Sequence, residues 1–386
     1  MKRFFNLIII NISVSIFIYS CTDIGNKYQH PDTSFDSLTA TNFKVDAFWP
    51  KKLPNSWILG EVPGLSIDKN DHIWILQRPN SLDGRELGAE DSSSKKECCA
   101  PAPSVIEFDP EGNVVNAWSI FESDESEDPD QLWAGKEHGI YIDDNDFVWI
   151  ADAKGHTVLK LTKDGKQLLQ IGKKGITNGS NDTTALGGPA DLAVDIENNE
   201  VYIADGYINR RIIVFDANTG EYKRHWGAYG EKPHDNQLPN RSPGDEPISS
   251  FRTAVHSVTI SNEGNIYVAD RSNNRIQIFK KDGTYIKETF IANDGGAGTI
   301  WDIEFSRDPE QTYMYVADGF NMKVWVLDHA SLEIVNSFGH GGRNSGQFGW
   351  VHSLAIDSKG VIYTSEVKPG KRIQKFIPVP SNEITN

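Results

Sequence analysis

The chain has 386 residues and a formal net charge of −16, from 38 Lys and Arg against 54 Asp and Glu. That excess of acid excludes nucleic acid and anionic membrane surfaces as partners, because both are held by clustered basic side chains. With 38% hydrophobic residues, 10 Trp, 12 Tyr, 18 Phe and 33 Gly, the chain is globular and rich in turns, which excludes a disordered tail or a membrane bundle.

The N-terminus carries a targeting pattern. Lys2 and Arg3 precede a mostly apolar run over residues 4–19, and Ile18-Tyr19-Ser20-Cys21 resembles a bacterial lipobox. Residues 1–20 are therefore expected to be a lipoprotein signal, with cleavage before Cys21, lipid on Cys21 and a polar tether over 21–44. A transmembrane anchor fits less well, since the run is short and interrupted by Asn6, Asn11, Ser13 and Ser15. The expected location is the bacterial cell envelope, with the chain lipid-anchored to a membrane and facing an extracytoplasmic compartment. With Cys21 lipidated, only Cys98 and Cys99 remain, either as a strained vicinal disulfide or as two buried thiols.

Six copies of one pattern follow. Each has an apolar strand, usually closed by Asp, then a turn, then a second strand rich in aromatics. They read GLSIDKNDHIWILQR from Gly64, HGIYIDDNDFVWIADA from His138, DLAVDIENNEVYIADGY from Asp191, HSVTISNEGNIYVADRS from His256, DIEFSRDPEQTYMYVADGF from Asp302 and HSLAIDSKGVIYTSEV from His352. Five continue into a third strand: HTVLKL, RRIIVF, NRIQIF, MKVWVL and KRIQKF. Alternation of apolar and polar residues marks half-buried strands, and a unit this small buries its faces only against other copies. A weaker fourth strand, such as EYKRHWG, completes a propeller blade. The expected fold is all-β: a six-bladed β-propeller of NHL-like repeats over 45–380, with a short tail at 381–386. The last copy lacks a fourth strand, and FWPKKLPNSWILG from Phe48 is the candidate to supply it and close the ring between the two termini. Polar insertions at 81–103, 121–136 and 231–250 are long enough to form a rim over one mouth of the channel.

Aligned on the last apolar residue of the first strand, the copies place Pro63, His138, Ala190, His256, Trp301 and His352 in equivalent positions. Histidine thus recurs in blades 2, 4 and 6, about 120° apart near the axis by the symmetry of a six-fold ring. Three neutral imidazoles with an open fourth position suit a catalytic zinc ion, whereas a structural site is normally closed by a fourth protein ligand. A second register, just past the second strand, gives Arg78, Ala153, Gly206, Arg271, Gly319 and Val367. Arg78 and Arg271 stand in opposite blades, where a guanidinium can hold a carboxylate bidentately, and Tyr207 follows in blade 3 as a candidate acid or base. Arg271 could instead pair with Asp270, and Tyr207 could simply pack. His156, after the second strand of blade 2, reads first as a surface residue and second as a candidate to support the ring from behind.

These strings resemble the NHL-repeat propeller of peptidyl-α-hydroxyglycine α-amidating lyase, the second catalytic half of peptidylglycine α-amidating monooxygenase, over nearly the whole chain from about Val45. EHGIYID with VWIAD, AVHSVTI and VHSLA resemble the segments that carry the family's three zinc histidines, and so imply zinc at His138, His256 and His352. VADRSNNRIQIF and YIADGYINRRI likewise imply a substrate-binding role for Arg271 and a catalytic one for Tyr207, while the arginine ending the family's first strand pair falls on Arg78. In the family a Cys follows the tyrosine and an acidic calcium ligand follows the third histidine. Here these are Ile208 and Ser353, which counts against calcium. No copper monooxygenase half is present in this sequence.

The implied activity is a zinc-dependent carbon–nitrogen lyase that cleaves a hydroxyglycine-type substrate to an amide and glyoxylate. The expected partner is a peptide or small molecule with a terminal carboxylate, met by a monomer whose only contact with a membrane is its lipid anchor. Two other classes stay open: a non-catalytic propeller lipoprotein that binds a ligand or protein, and a zinc enzyme acting on another small hydroxylated carboxylate.

Overall fold

Each repeat folds into one four-stranded antiparallel sheet, and six such sheets follow one another along the chain in this computed structural model, which describes residues 36–87, 99–119, 136–242 and 245–380. The result is a six-bladed β-propeller. The innermost strands are Glu61–Ile67, Glu137–Ile142, Pro189–Asp195, Val255–Ile260, Asp302–Phe305 and Val351–Ile356. Blade 3 shows the full unit, with Pro189–Asp195, Glu200–Asp205, Arg211–Asp216 and Tyr222–Trp226 paired in that order.

Two polar devices explain the repeat. The Asp that closes the first strand turns back on its own hairpin. Asp143 accepts the Asn145 and Phe147 amides and the Trp149 indole N–H at 2.8 Å, and Asp68 and Asp357 do the same for Trp74 and Tyr363. The acid that ends the second strand meets an arginine that begins the third. The pairs Asp205–Arg211 at 2.9 Å and Asp270–Arg275 at 2.7 Å are fully buried, and Glu366–Arg372 at 2.6 Å is their counterpart in blade 6. Each guanidinium also donates to loop carbonyls, as Arg211 does to Ser180, Asp182 and Ala185. A buried charge is tolerated only with such complete pairing.

The apolar faces of the blades pack on their neighbours. Six buried clusters lie one between each adjacent pair, such as Trp74, Leu76, Ile140 and Ile150 between blades 1 and 2, and Tyr315, Val326, Leu354 and Phe376 between blades 5 and 6. No blade has a core of its own, which is why the copies must close on one another.

Closure differs in detail from the sequence expectation. The outer strand of blade 6 is Asn42–Asp46, paired antiparallel with Ile373–Val379 from Asn42↔Val379 to Asp46↔Lys375. It therefore lies mostly within the stretch read as tether, and the propeller begins before residue 45. The NFKVD segment alternates correctly but has only two apolar residues, of which Phe43 is buried against Tyr315 and Phe338. The segment from Phe48 serves otherwise. Phe48 is 84% exposed, Trp49 packs on Phe108 and Tyr363 at the junction of blades 6 and 1, and Trp57–Ile58 pairs in parallel with Ala100–Pro101.

The described part of the insertion at 231–250 lies beside the turns that follow Tyr207 and Arg271. Arg210 donates to the Asn236 carbonyl, Arg252 to Pro239 and Asn273, and Arg241 to Asn293 and Gly295. Cys99 is disulfide-bonded, so it is not a free thiol. Cys21, the proposed signal and tether up to residue 35, Cys98 and residues 381–386 lie outside the described residues. Among the described residues no helix is long and apolar enough to cross a membrane.

Candidate metal centre

The three histidines meet on the axis. His138, His256 and His352 are each the second residue of an innermost strand, all buried, and their ring centroids are 4.8, 4.7 and 4.8 Å apart, close to an equilateral triangle. The strand register shifts beside each one, between Glu137 and Ile140, Val255 and Ser257, and Val351 and Ser353. A bulge at the start of a strand re-aims a side chain, here toward the channel.

The other three blades supply the matching half of the ring. The Nδ1–H of His138 donates to the Ala190 carbonyl at 2.7 Å, that of His256 to Trp301 at 2.5 Å and that of His352 to Pro63 at 2.8 Å. A carbonyl only accepts, so the proton sits on Nδ1 and Nε2 is left with its lone pair. Fixing the tautomer through the distal nitrogen is how metal-ligating imidazoles are commonly held. Burial, reinforced by the neighbouring imidazoles at His138 and His256, by Arg271 at all three and by Arg78 at His138 and His352, drives the three pKa values well below the usual range of histidine, so the rings are neutral at pH 7. One ligand atom from each ring can be chosen so that all three lie within 4.8 Å, and Nε2 of His256 is buried without any hydrogen-bond partner. An orphaned acceptor beside two further imidazole nitrogens fits a cation.

Tyr207 and the arginines lie beside this triangle. The Tyr207 hydroxyl donates to Nε2 of His138 at 2.8 Å, and Nη1 of Arg271 lies 3.5 Å from the same oxygen. Glycines permit this approach. A Cβ on Gly206 would fall 2.0 Å from the Val255 carbonyl oxygen, and Gly188, at φ +78°, lies under the Tyr207 Cβ and accepts the Tyr207 amide at 2.9 Å. Asp270 is taken by Arg275, and among the described residues no carboxylate forms an ion pair with Arg271. Its guanidinium instead lies 4.2 Å over the Trp301 ring, with Nε buried and unpartnered. Arg78 is more committed, donating from Nη1 to Glu61 at 2.8 Å and from Nε to the Glu137 carbonyl at 2.9 Å.

Some residues at the site were not anticipated. Trp301 packs edge-on against His256 and His352 at 4.9 and 5.2 Å as well as under Arg271. Glu61 anchors Arg78 from the opposite strand. His156, the candidate supporting residue, has an unpartnered Nδ1 and makes no hydrogen bond to the ring. A second possible ligand group, Asp68, His72 and Glu107, is already satisfied, with Lys163 and Trp74 on Asp68 and His72 on Glu107.

Behind the triangle the channel continues as a cavity of about 360 Å³ that reaches Lys69, Asp71, Asp144 and Arg307 at the far mouth. It is lined by acids. Ser257 and Ser353 donate to Asp302 at 2.8 and 2.7 Å, and burial, added to mutual repulsion with Asp302, raises the pKa of Asp191. Burial also pushes Glu304 up to about 7.

Comparison with known proteins agrees with the propeller fold. The NHL repeat family matches residues 255–279, in blade 4. The chain is 27% identical to a probable peptidyl-alpha-hydroxyglycine alpha-amidating lyase of Caenorhabditis elegans, covering 82% of each chain. It is 25% identical to NHL repeat-containing protein 3 of Mus musculus, over 87% of this chain and 84% of that one. Among solved structures, a Bacteroides thetaiotaomicron protein of unknown function shares the fold, with a TM-score of 0.53 and 15% identity over 83% of this chain and 70% of that one.

Proposed function

We propose that this chain is a zinc-dependent carbon–nitrogen lyase that splits a peptide or small molecule ending in α-hydroxyglycine into an amide and glyoxylate. The observation that carries the reading is the position of the Tyr207 hydroxyl, 2.8 Å from Nε2 of His138 and 3.5 Å from Nη1 of Arg271. One proton-transfer group thus touches both a candidate metal ligand and a cation able to hold a carboxylate. Similarity to a relative named as an amidating lyase, over 82% of both chains, supports the same reaction class.

His138, His256 and His352 would hold the zinc, which supplies a Lewis acid for the negative charge that develops on the substrate oxygen. Arg271, which forms no ion pair among the described residues, binds the terminal carboxylate, and Arg78 meets the substrate from the opposite blade while Glu61 fixes its plane. Tyr207 would relay a proton, giving its own to the departing amide nitrogen as it takes that of the substrate hydroxyl. The carbon–nitrogen bond breaks, the carbon–oxygen bond of glyoxylate becomes double, and no water or oxidant is consumed. Cys21 would carry the lipid that ties this monomer to the envelope membrane.

Metal analysis of the purified protein, followed by glyoxylate release from an N-acyl-α-hydroxyglycine, tests the reading. His256→Ala should lose metal and turnover yet keep its circular dichroism spectrum. Metal without glyoxylate would point to another small hydroxylated carboxylate. Absence of both would favour a non-catalytic propeller, as the relatives named only for their NHL repeats allow.

A further inference from the structure

The mouth on the arginine side of the ring differs from the acidic channel behind it. Trp301 covers the gap between His256 and His352, and Trp350 packs edge-on against it at 5.5 Å. Trp350 lies at the level of the arginines. Its indole lies where a Cβ on Gly319 would come within 2.8 Å, and its carbonyl accepts the Val367 amide at 3.3 Å. Gly319 and Val367 hold, in blades 5 and 6, the register position that Arg271 and Arg78 hold in blades 4 and 1. The aromatic pair therefore fills the sector between the two guanidiniums. Phe320, next to Gly319, is 40% exposed and extends the apolar surface outward.

Trp350 also adopts φ +128°, two residues before His352. A bulky residue in that region costs on the order of 1–3 kcal/mol, and such strain gathers at ligand-binding positions. Its indole packs on the core between blades 5 and 6 yet remains only half-buried.

We infer that Trp350, backed by the buried Trp301, forms a subsite for a flat apolar group on the acyl side of the scissile bond. This deepens the proposed lyase reading and rests on it. With its carboxylate on Arg271, which itself lies on the Trp301 ring, a substrate directs its acyl end along the same wall. The group is either the acyl substituent itself or the side chain of the preceding residue, and in both cases it stacks or packs edge-on against the Trp350 indole.

The metal-loaded enzyme is assayed for glyoxylate release from N-acetyl-, N-benzoyl- and N-acetyl-phenylalanyl-α-hydroxyglycine. The wild type should prefer one or both aromatic substrates in kcat/KM, and Trp350→Ala should reduce that preference about tenfold, chiefly through KM, while Trp350→Phe restores it. The aromatic substrate whose preference collapses identifies the source of the group. Equal losses on all three, or no aromatic preference in the wild type, would overturn the inference. If no substrate is cleaved, the lyase reading fails on its own. The subsite is then judged by whether N-benzoylglycine raises the melting temperature more than N-acetylglycine does, and whether Trp350→Ala abolishes the difference. An equal response to the two ligands overturns it.

Discussion

The imidazole of His352 donates from Nδ1 to the carbonyl of Pro63 at 2.8 Å, across 289 residues of sequence. The bond joins the last inner strand to the first, so the metal triangle is complete only when the ring is closed. Closure in turn rests on Asn42–Asp46 pairing with Ile373–Val379. A chain that starts at Phe48 should therefore be much less stable than one that starts at Asp36, and should bind zinc weakly. Phe43→Ala is the milder version, expected to cost about 3–5 kcal/mol for a buried phenylalanine. Urea midpoints and zinc titration of the variants check both, and an unchanged midpoint for the shorter chain would show that the strand is dispensable.

Tyr207→Phe removes one oxygen beside the triangle. The hydroxyl donates to His138 Nε2 and does not hold any of the three Nδ1–H bonds, so metal content should be unchanged. Turnover should fall by about 10²–10⁴, the usual worth of a placed proton-transfer group. Glyoxylate kinetics and metal analysis on the same preparation separate the two effects. A parallel loss of metal would make Tyr207 a supporting residue for His138 instead.

Much of this site is legible in the sequence because symmetry amplifies it. One histidine says little, but His138, His256 and His352 recur at one register in alternate blades, and Arg78 and Arg271 at another. The remaining features lack such a signal. Trp301 occupies the histidine register, yet a buried aromatic at the foot of an inner strand reads as core. Glu61 reaches Arg78 only because the register slips between Glu61 and Gly64, and a counted alternation does not show a bulge. The closing strand hides in a polar stretch, since Phe43 and Val45 alone do not distinguish it from a tether.

The ion pairs inside the blades give a stability prediction. Arg275 is fully buried with Asp270 at 2.7 Å and also bonds the Ile248 and Ser250 carbonyls. Arg275→Met leaves a buried carboxylate without its cation and should cost about 3–5 kcal/mol. Adding Asp270→Asn should recover part of the loss, because the uncompensated charge is then gone. Urea denaturation of the two single variants and the double one measures the coupling, and simple additivity would show that the pair does not act as a unit.

The channel behind the triangle gives a pH dependence through Glu304. Burial is the main cause of its raised pKa, with repulsion from Asp302 adding to it and Arg307, 3.8 Å away, opposing it; the result is about 7. A folded-state pKa above the unfolded one means that the protonated acid favours folding at low pH, and that this contribution is lost as the pH rises through about 7. Glu304→Gln keeps a neutral, hydrogen-bonding side chain at every pH. The variant and the wild type should therefore melt together near pH 5, with the variant pulling ahead between pH 5 and 8, by on the order of 2 °C for a domain of this size. Calorimetric scans across that range, made in metal-chelating buffer so that no cation occupies the acidic channel, decide it. A constant offset at all pH values would mean that the Glu304 carboxylate ionises in the folded state as it does in water.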